Sequence, residues 1–216
     1  MRLFFKLVWK EIVLNFHTVV TAFLLFLLYI AVTPLLIGFS TNLLFHFNLG
    51  LIWMCILFSF LPNMDRLFQN DFEDGTLELY CLSGPSTRLQ KILISQLLSH
   101  WLLKIMAILL SFPVLQLLYH FQYSTVNCLT IVVGSLVFTL ICGIHSCLTL
   151  GLRSTDSRKT SFFFFTTLPT LLPLILFCTS YQTEDEAMTL FMGYLLLFFF
   201  CYPILVSITL RNLISQ

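Results

Sequence analysis

Six apolar stretches, each near the length of about twenty residues that a membrane-crossing helix needs, recur along this chain over 18–38, 44–62, 94–118, 126–150, 162–181 and 188–210. At about 1.5 Å of rise per residue each can cross a hydrocarbon core about 30 Å thick. With no water in that core to satisfy backbone amides, only helices or a closed barrel are viable. Continuous apolar runs of this length exclude the alternating strands of a barrel, each roughly ten residues long. The expectation is an all-α membrane protein of six transmembrane helices, forming one domain over 1–216. Composition agrees: 58% of the residues are apolar and 10% charged, against roughly 45–50% and about 25% in soluble domains.

Ten of the eleven Lys and Arg residues then fall on one side. Arg2, Lys6 and Lys10 precede the first span; Arg66, Arg88 and Lys91 lie between the second and third; Arg153, Arg158 and Lys159 between the fourth and fifth; Arg211 follows the sixth. The opposite connections, near Ser40, near Tyr123 and over 182–186, carry no cation, and the last holds Glu184, Asp185 and Glu186. The positive-inside rule therefore places both termini on the cytoplasmic side or its organellar equivalent, the matrix. A formal net charge of +1 leaves no excess of cations for a nucleic-acid partner.

The eleventh cation, Lys104, sits inside the third span, where a charge is costly and usually turned toward protein. It could bind a substrate carboxylate, find a neutral partner, snorkel outward or be a tolerated drift. Phe5, Trp9, Ile12, Val13 and Phe16 recur at helical spacing before the first span, with Lys6 and Lys10 on another face, as in an interfacial amphipathic helix over 1–17; a plain cationic flank is the simpler reading. Pro34, Pro169 and Pro173 should bend their spans. The seven cysteines form no C-x-x-C pair and read as small apolar packing residues.

The one long polar stretch runs over 63–92 and, from Asn63 to Lys91, holds eight of the 21 Lys, Arg, Asp and Glu residues. Leu67, Phe68 and Phe72 could form the apolar stripe of a short helix, with Asp65, Arg66, Asp71, Glu73 and Asp74 on its wet side and Gly75 at its end. A turn at Ser83-Gly84-Pro85-Ser86 leads into the third span. Such a helix suits docking in a groove of a soluble partner, although a solvated loop has the same composition. D-F-E-D-G lacks the spacing of a calcium loop. No glycine is followed by Lys, so the chain has no P-loop, and energy from ATP would come from another polypeptide.

These residues carry a resemblance. G-L-I-W at 50–53, D-R-L-F-Q-N-D-F-E-D-G-T-L-E-L at 65–79, L-S-G-P at 82–85, S-H-W at 99–101, L-G-L-R at 150–153 and L-P-T-L-L-P-L at 168–174 resemble the haem exporter protein B (CcmB) family. L-L-Y-I-A-V-T-P-L-L-I-G-F from Leu27, F-P-V-L-Q-L-L-Y from Phe112 and C-G-I-H-S from Cys142 are similar to plant mitochondrial members. The resemblance implies an ABC-2-like half-permease of the cytochrome c maturation complex, in the mitochondrial inner membrane (a bacterial inner membrane is the alternative). It implies a separate ABC ATPase subunit that binds ATP, a haem-handling membrane partner, a haem chaperone and a permease homodimer. No permanently bound cofactor is expected, and haem is the implied cargo. By the same resemblance 63–92 is the coupling loop, with Arg66, Phe68, Asp71, Asp74, Gly75 and Glu78 its candidate ATPase contacts. Bacterial relatives commonly carry L-S-P at 83–85 and a small or neutral residue at 104.

Among the histidines, His100 beside Trp101 lies within a resembling motif. A neutral imidazole can be an axial haem ligand, but a hydrogen-bonded His holding its helix against a neighbour is the simpler reading, as is a bond across helices for His145. Two further functions stay open: a scaffold for cytochrome c assembly that does not use ATP, and an ABC permease for another substrate. An intramembrane enzyme is disfavoured, with no G-x-S-x-G or H-E-x-x-H and no paired carboxylates in the spans; no catalytic or metal-ligating residue is assigned.

Overall fold

The computed structural model describes residues 16–37, 41–62, 64, 65, 67–82, 86–119, 125–150, 156–180 and 184–214, together with Trp9 and Val13. Eight helices occupy them: α1 (Phe16–Ile37), α2 (Thr41–Phe60), α3 (Gln69–Glu73), α4 (Thr76–Leu82), α5 (Ser86–Tyr119), α6 (Thr125–Leu150), α7 (Asp156–Ser180) and α8 (Glu184–Ile214). Six of them, α1, α2 and α5 to α8, have 20 to 34 residues and coincide with the six expected spans. Among the described residues three stretches are long and apolar enough to cross a membrane alone, Leu89–Leu118, Cys128–Leu150 and Phe191–Asn212. Shorter apolar stretches, Val19–Leu35 and Gly50–Phe60, lie in α1 and α2. Apart from Trp9 and Val13, both exposed, and the start of α1, the segment 1–17 lies outside the described residues. So do Arg66, the turn at 83–85 and most of the connections opposite the cations.

Helix α6 is the hub, packing against α2, α5, α7 and α8. Its two glycines explain why. A side chain at Gly134 would collide with the Trp53 ring of α2 and come within 2.8 Å of the Phe191 ring of α8. At Gly143 it would meet Leu97 of α5 at 2.6 Å and Tyr202 of α8 at 2.8 Å. Lipid tails provide no hydrophobic drive between helices, so close backbone approach at small residues supplies the packing energy instead. Trp53 fills the space, 4.9 Å from the Phe191 ring and 5.5 Å edge-on to Phe138, within the range where aromatic pairs attract.

Polar side chains add specific links between helices. Trp101 Nε1 of α5 donates to Ser135 Oγ of α6 at 3.0 Å. A second seam joins α1 to α5, where Val19, Ala22 and Phe23 pack on Leu103 and Ala107. The apolar side chains of Leu24, Leu28, Phe165, Leu197 and Phe200 point away from the bundle, as lipid-facing residues do. Lys91, Arg158, Lys159 and Arg211 lie near the ends of α5, α7 and α8 that the up-and-down connectivity brings to one end of the bundle.

Candidate coupling segment at the inner face

The polar stretch does not hang in solvent. Helix α2 stops at Phe60 because Pro62 has no amide hydrogen to continue it and disfavours helical geometry at Leu61. Turns then carry the chain back against the bundle, with Met64 N bonded to Leu61 O at 3.2 Å and Leu67 N to Met64 O at 3.3 Å. Leu61, Met64, Leu67, Phe68 and Leu77 are buried in the same core as Trp53 and Phe138. Of the short helix expected to carry Leu67, Phe68 and Phe72 as its apolar stripe, only Phe72 lies in a helix, the five-residue α3, while Leu67 and Phe68 precede it in a turn. Gly75 ends it as anticipated, with φ of +72°, a conformation that side chains with a Cβ resist. A second helix, α4, follows at once; the sequence reading had no helix there.

The carboxylates expected together on a wet face divide into two sets. Asp65 Oδ2 accepts from Thr160 Oγ1 of α7 at 2.6 Å, and its backbone carbonyl accepts from Ser146 Oγ of α6 at 3.4 Å. Asp71 Oδ2 accepts from Gln96 Nε2 of α5. Glu73, Asp74 and Glu78 are exposed, and Glu73 accepts from Gln69 Nε2 at 2.7 Å. Beside them Leu79 is 64% exposed. Of the candidate contact residues, then, Asp74 and Glu78 face outward, Gly75 is the corner between α3 and α4, and Asp71 is tied to α5. Phe68, 0% exposed, anchors the segment from inside, and Arg66 is outside the described residues.

Lys104 lies midway along the apolar stretch Leu89–Leu118 and is 1% exposed. Its Nζ donates to the carbonyl of Phe60 and, at 3.4 Å, to that of Pro62, and stands 5.2 Å from the Phe60 ring centroid. The last-turn carbonyls of a helix have no partner within it and carry the negative end of its dipole; a buried ammonium satisfies both needs. Of the options open for Lys104, the structure selects a neutral partner within the chain.

His100 is buried one turn before Lys104, and its Nδ1 has no hydrogen-bond partner among the described residues. Trp101 is occupied by Ser135. His145 Nδ1 pairs with the carbonyl of Ile141, four residues back in its own helix, at 2.9 Å, rather than across helices. Gln96, Thr160 and Ser146 were missed by sequence reasoning, and Asp65, expected on the wet side, is an inward joint instead. The detectable signal was Gln96, His100 and Lys104 at intervals of four in a largely apolar stretch, which places three polar groups on one face.

A bundle of long helices, three of them apolar enough among the described residues to cross a membrane and two more carrying shorter apolar stretches, with a polar segment folded back onto one end, fits a multi-span membrane permease. The CcmB protein family model matches residues 2–212. A cytochrome c biogenesis ccmB-like mitochondrial protein of Marchantia polymorpha is 61% identical over 215 residues, covering 100% of this chain and 76% of the relative. The similarly described protein of Arabidopsis thaliana is 53% identical over 211 residues, covering 98% and 99%. Heme exporter protein B of Haemophilus influenzae is 32% identical over 160 residues, covering 72% and 68%. The chain belongs to the CcmB family.

Proposed function

We propose that this chain is the membrane-embedded subunit of an ABC-type complex for cytochrome c biogenesis in the mitochondrial inner membrane, with 63–92 as the segment that receives the stroke of a separate ATPase subunit. ATP is bound and hydrolysed by that subunit. Two copies of the six-helix chain make one permease, and the work is spent on haem export or on releasing a haem-loaded chaperone from its membrane partner. The observation that carries this reading is the two-sidedness of the segment. One side is buried and bonded to α5, α6 and α7 through Asp71 and Asp65. The other presents Asp74, Glu78 and Leu79 outward, an apolar contact framed by charge that suits a groove in a soluble partner. A force on that face is delivered to the helices because the connection is packed. The names of the mitochondrial relatives and of heme exporter protein B support the process and the cargo class.

The test is the double reversal Asp74→Lys and Glu78→Lys, reading co-purification of the ATPase subunit and ATP-dependent cytochrome c maturation. The expected result is loss of both while the variant stays in the membrane at normal amounts. Full retention of both would overturn the assignment, and retained maturation in the absence of any bound ATPase would favour a scaffold.

A further inference from the structure

The segment is continuous in sequence with α2, yet it is bonded at two points to α5. Lys104 holds its root, at the carbonyls of Phe60 and Pro62. Gln96 holds its middle, at the Asp71 carboxylate. These two residues lie eight positions apart on one face of α5, about 12 Å along the axis. A lysine enclosed at mid-span is costly unless its charge is answered, and here its hydrogen bonds go to the free end of α2. The cation is thus used as a fastener between helices. His100, one turn before it in the same stripe, has an Nδ1 without a partner among the described residues.

We propose that Lys104 is a positioning residue for coupling: it pins the root of the segment to α5, so that a push on the exposed acidic face moves α5 instead of unwinding the end of α2. From α5 the displacement passes to α6 through the Trp101–Ser135 bond and the seat of Leu97 against Gly143. Without the ammonium the Phe60 and Pro62 carbonyls are buried and unanswered, the turn over 61–68 opens, and the stroke is lost in slack. This inference rests on the coupling reading above, but its first measurement does not involve the ATPase.

The experiment introduces Met64→Cys, a buried site in that turn, and follows its labelling by a membrane-impermeant maleimide with peptide mass spectrometry. In the otherwise native chain it should be protected. Lys104→Met should raise the labelling rate roughly tenfold or more, the change expected from losing a charge-assisted hydrogen bond, and Lys104→Arg should restore protection. In the assembled complex Lys104→Met should bind the ATPase subunit normally yet mature less cytochrome c per ATP hydrolysed, with Lys104→Arg again restoring it. A purely structural lysine would lower the amount of complex and leave that ratio unchanged. Unaltered protection at position 64, or an opened turn with an unaltered ratio, overturns the proposal. If Lys104→Met does not accumulate, Lys104→Gln replaces it with the same two measurements, and unaltered protection at position 64 or an unaltered ratio again overturns the proposal. Loss of protection together with failure of the Asp74 and Glu78 reversals would leave Lys104 as a fastener and remove the ATPase from the account.

Discussion

The indole of Trp53 occupies the place where Gly134 has no side chain, so that α2 and α6 meet with a ring edge against bare backbone. Phe191 of α8 leans on the same spot, and one glycine therefore sets the spacing of three helices. Gly134→Ala should destabilise the bundle by about 1–3 kcal/mol, the usual cost of overpacking, seen as a lower midpoint of thermal unfolding in detergent. Adding Trp53→Phe should recover part of the loss, because the smaller ring vacates the space and removes an indole N–H that is buried without a partner among the described residues.

Gly193 provides the contrast, since a side chain built there meets nothing within 4 Å. Gly193→Ala should leave the unfolding midpoint unchanged or slightly raised, as replacing a helical glycine by alanine favours the helix by about 1 kcal/mol. A marked destabilisation would show that this face of α8 is covered in the assembled protein.

Gly75 acts through its backbone. Its φ of +72° costs a residue with a Cβ about 1–2 kcal/mol, and there is open space around it. Gly75→Ala and Gly75→Val should therefore misdirect α4 relative to α3 and weaken co-purification of the proposed ATPase subunit, whereas Gly75→Asn, which tolerates this conformation, should be milder. Equal effects of Ala and Asn would indicate a role for the glycine other than its φ.

The Asp65–Thr160 bond crosses from the segment to α7. Asp65→Ala and Thr160→Val should each loosen that joint, and the double variant should cost less than the two singles added, with an interaction energy of about 0.5–3 kcal/mol. The measurement is a double-mutant cycle on unfolding in detergent. Strict additivity would mean that the two groups do not act on one another.

Trp101→Phe removes the donor to Ser135 while keeping the ring. Polar bonds between helices in membranes average about 0.6 kcal/mol, so the expected effect is a small fall in unfolding midpoint, matched by Ser135→Ala. A loss of maturation far beyond this change in stability would assign Trp101 to function directly.

The spans were legible because their signal is local and additive: twenty apolar residues in a row have one solution in a bilayer. The end of α3 at Gly75 was legible too, since only backbone conformation was at stake. Helix α5 runs inward past its expected start near 94 to Ser86, where Leu89, Ile92 and Leu93 are buried and α4 packs against it. The two fates of the carboxylates were hidden for a related reason. Asp65 and Asp74 look alike in sequence, and only residues 95 positions away, such as Thr160, make one of them an inward joint.

By itself, then, the chain determined that lipid surrounds much of it and where its long apolar helices lie, which follows from the transfer of short segments between water and lipid. Tertiary structure alone decided what Lys104 does. A lysine in an apolar helix must find acceptors, but whether these are lipid headgroups, a ligand or a helix end depends on which backbone is left open nearby. Here it is the end of α2, stopped by Pro62 and brought beside α5 by packing.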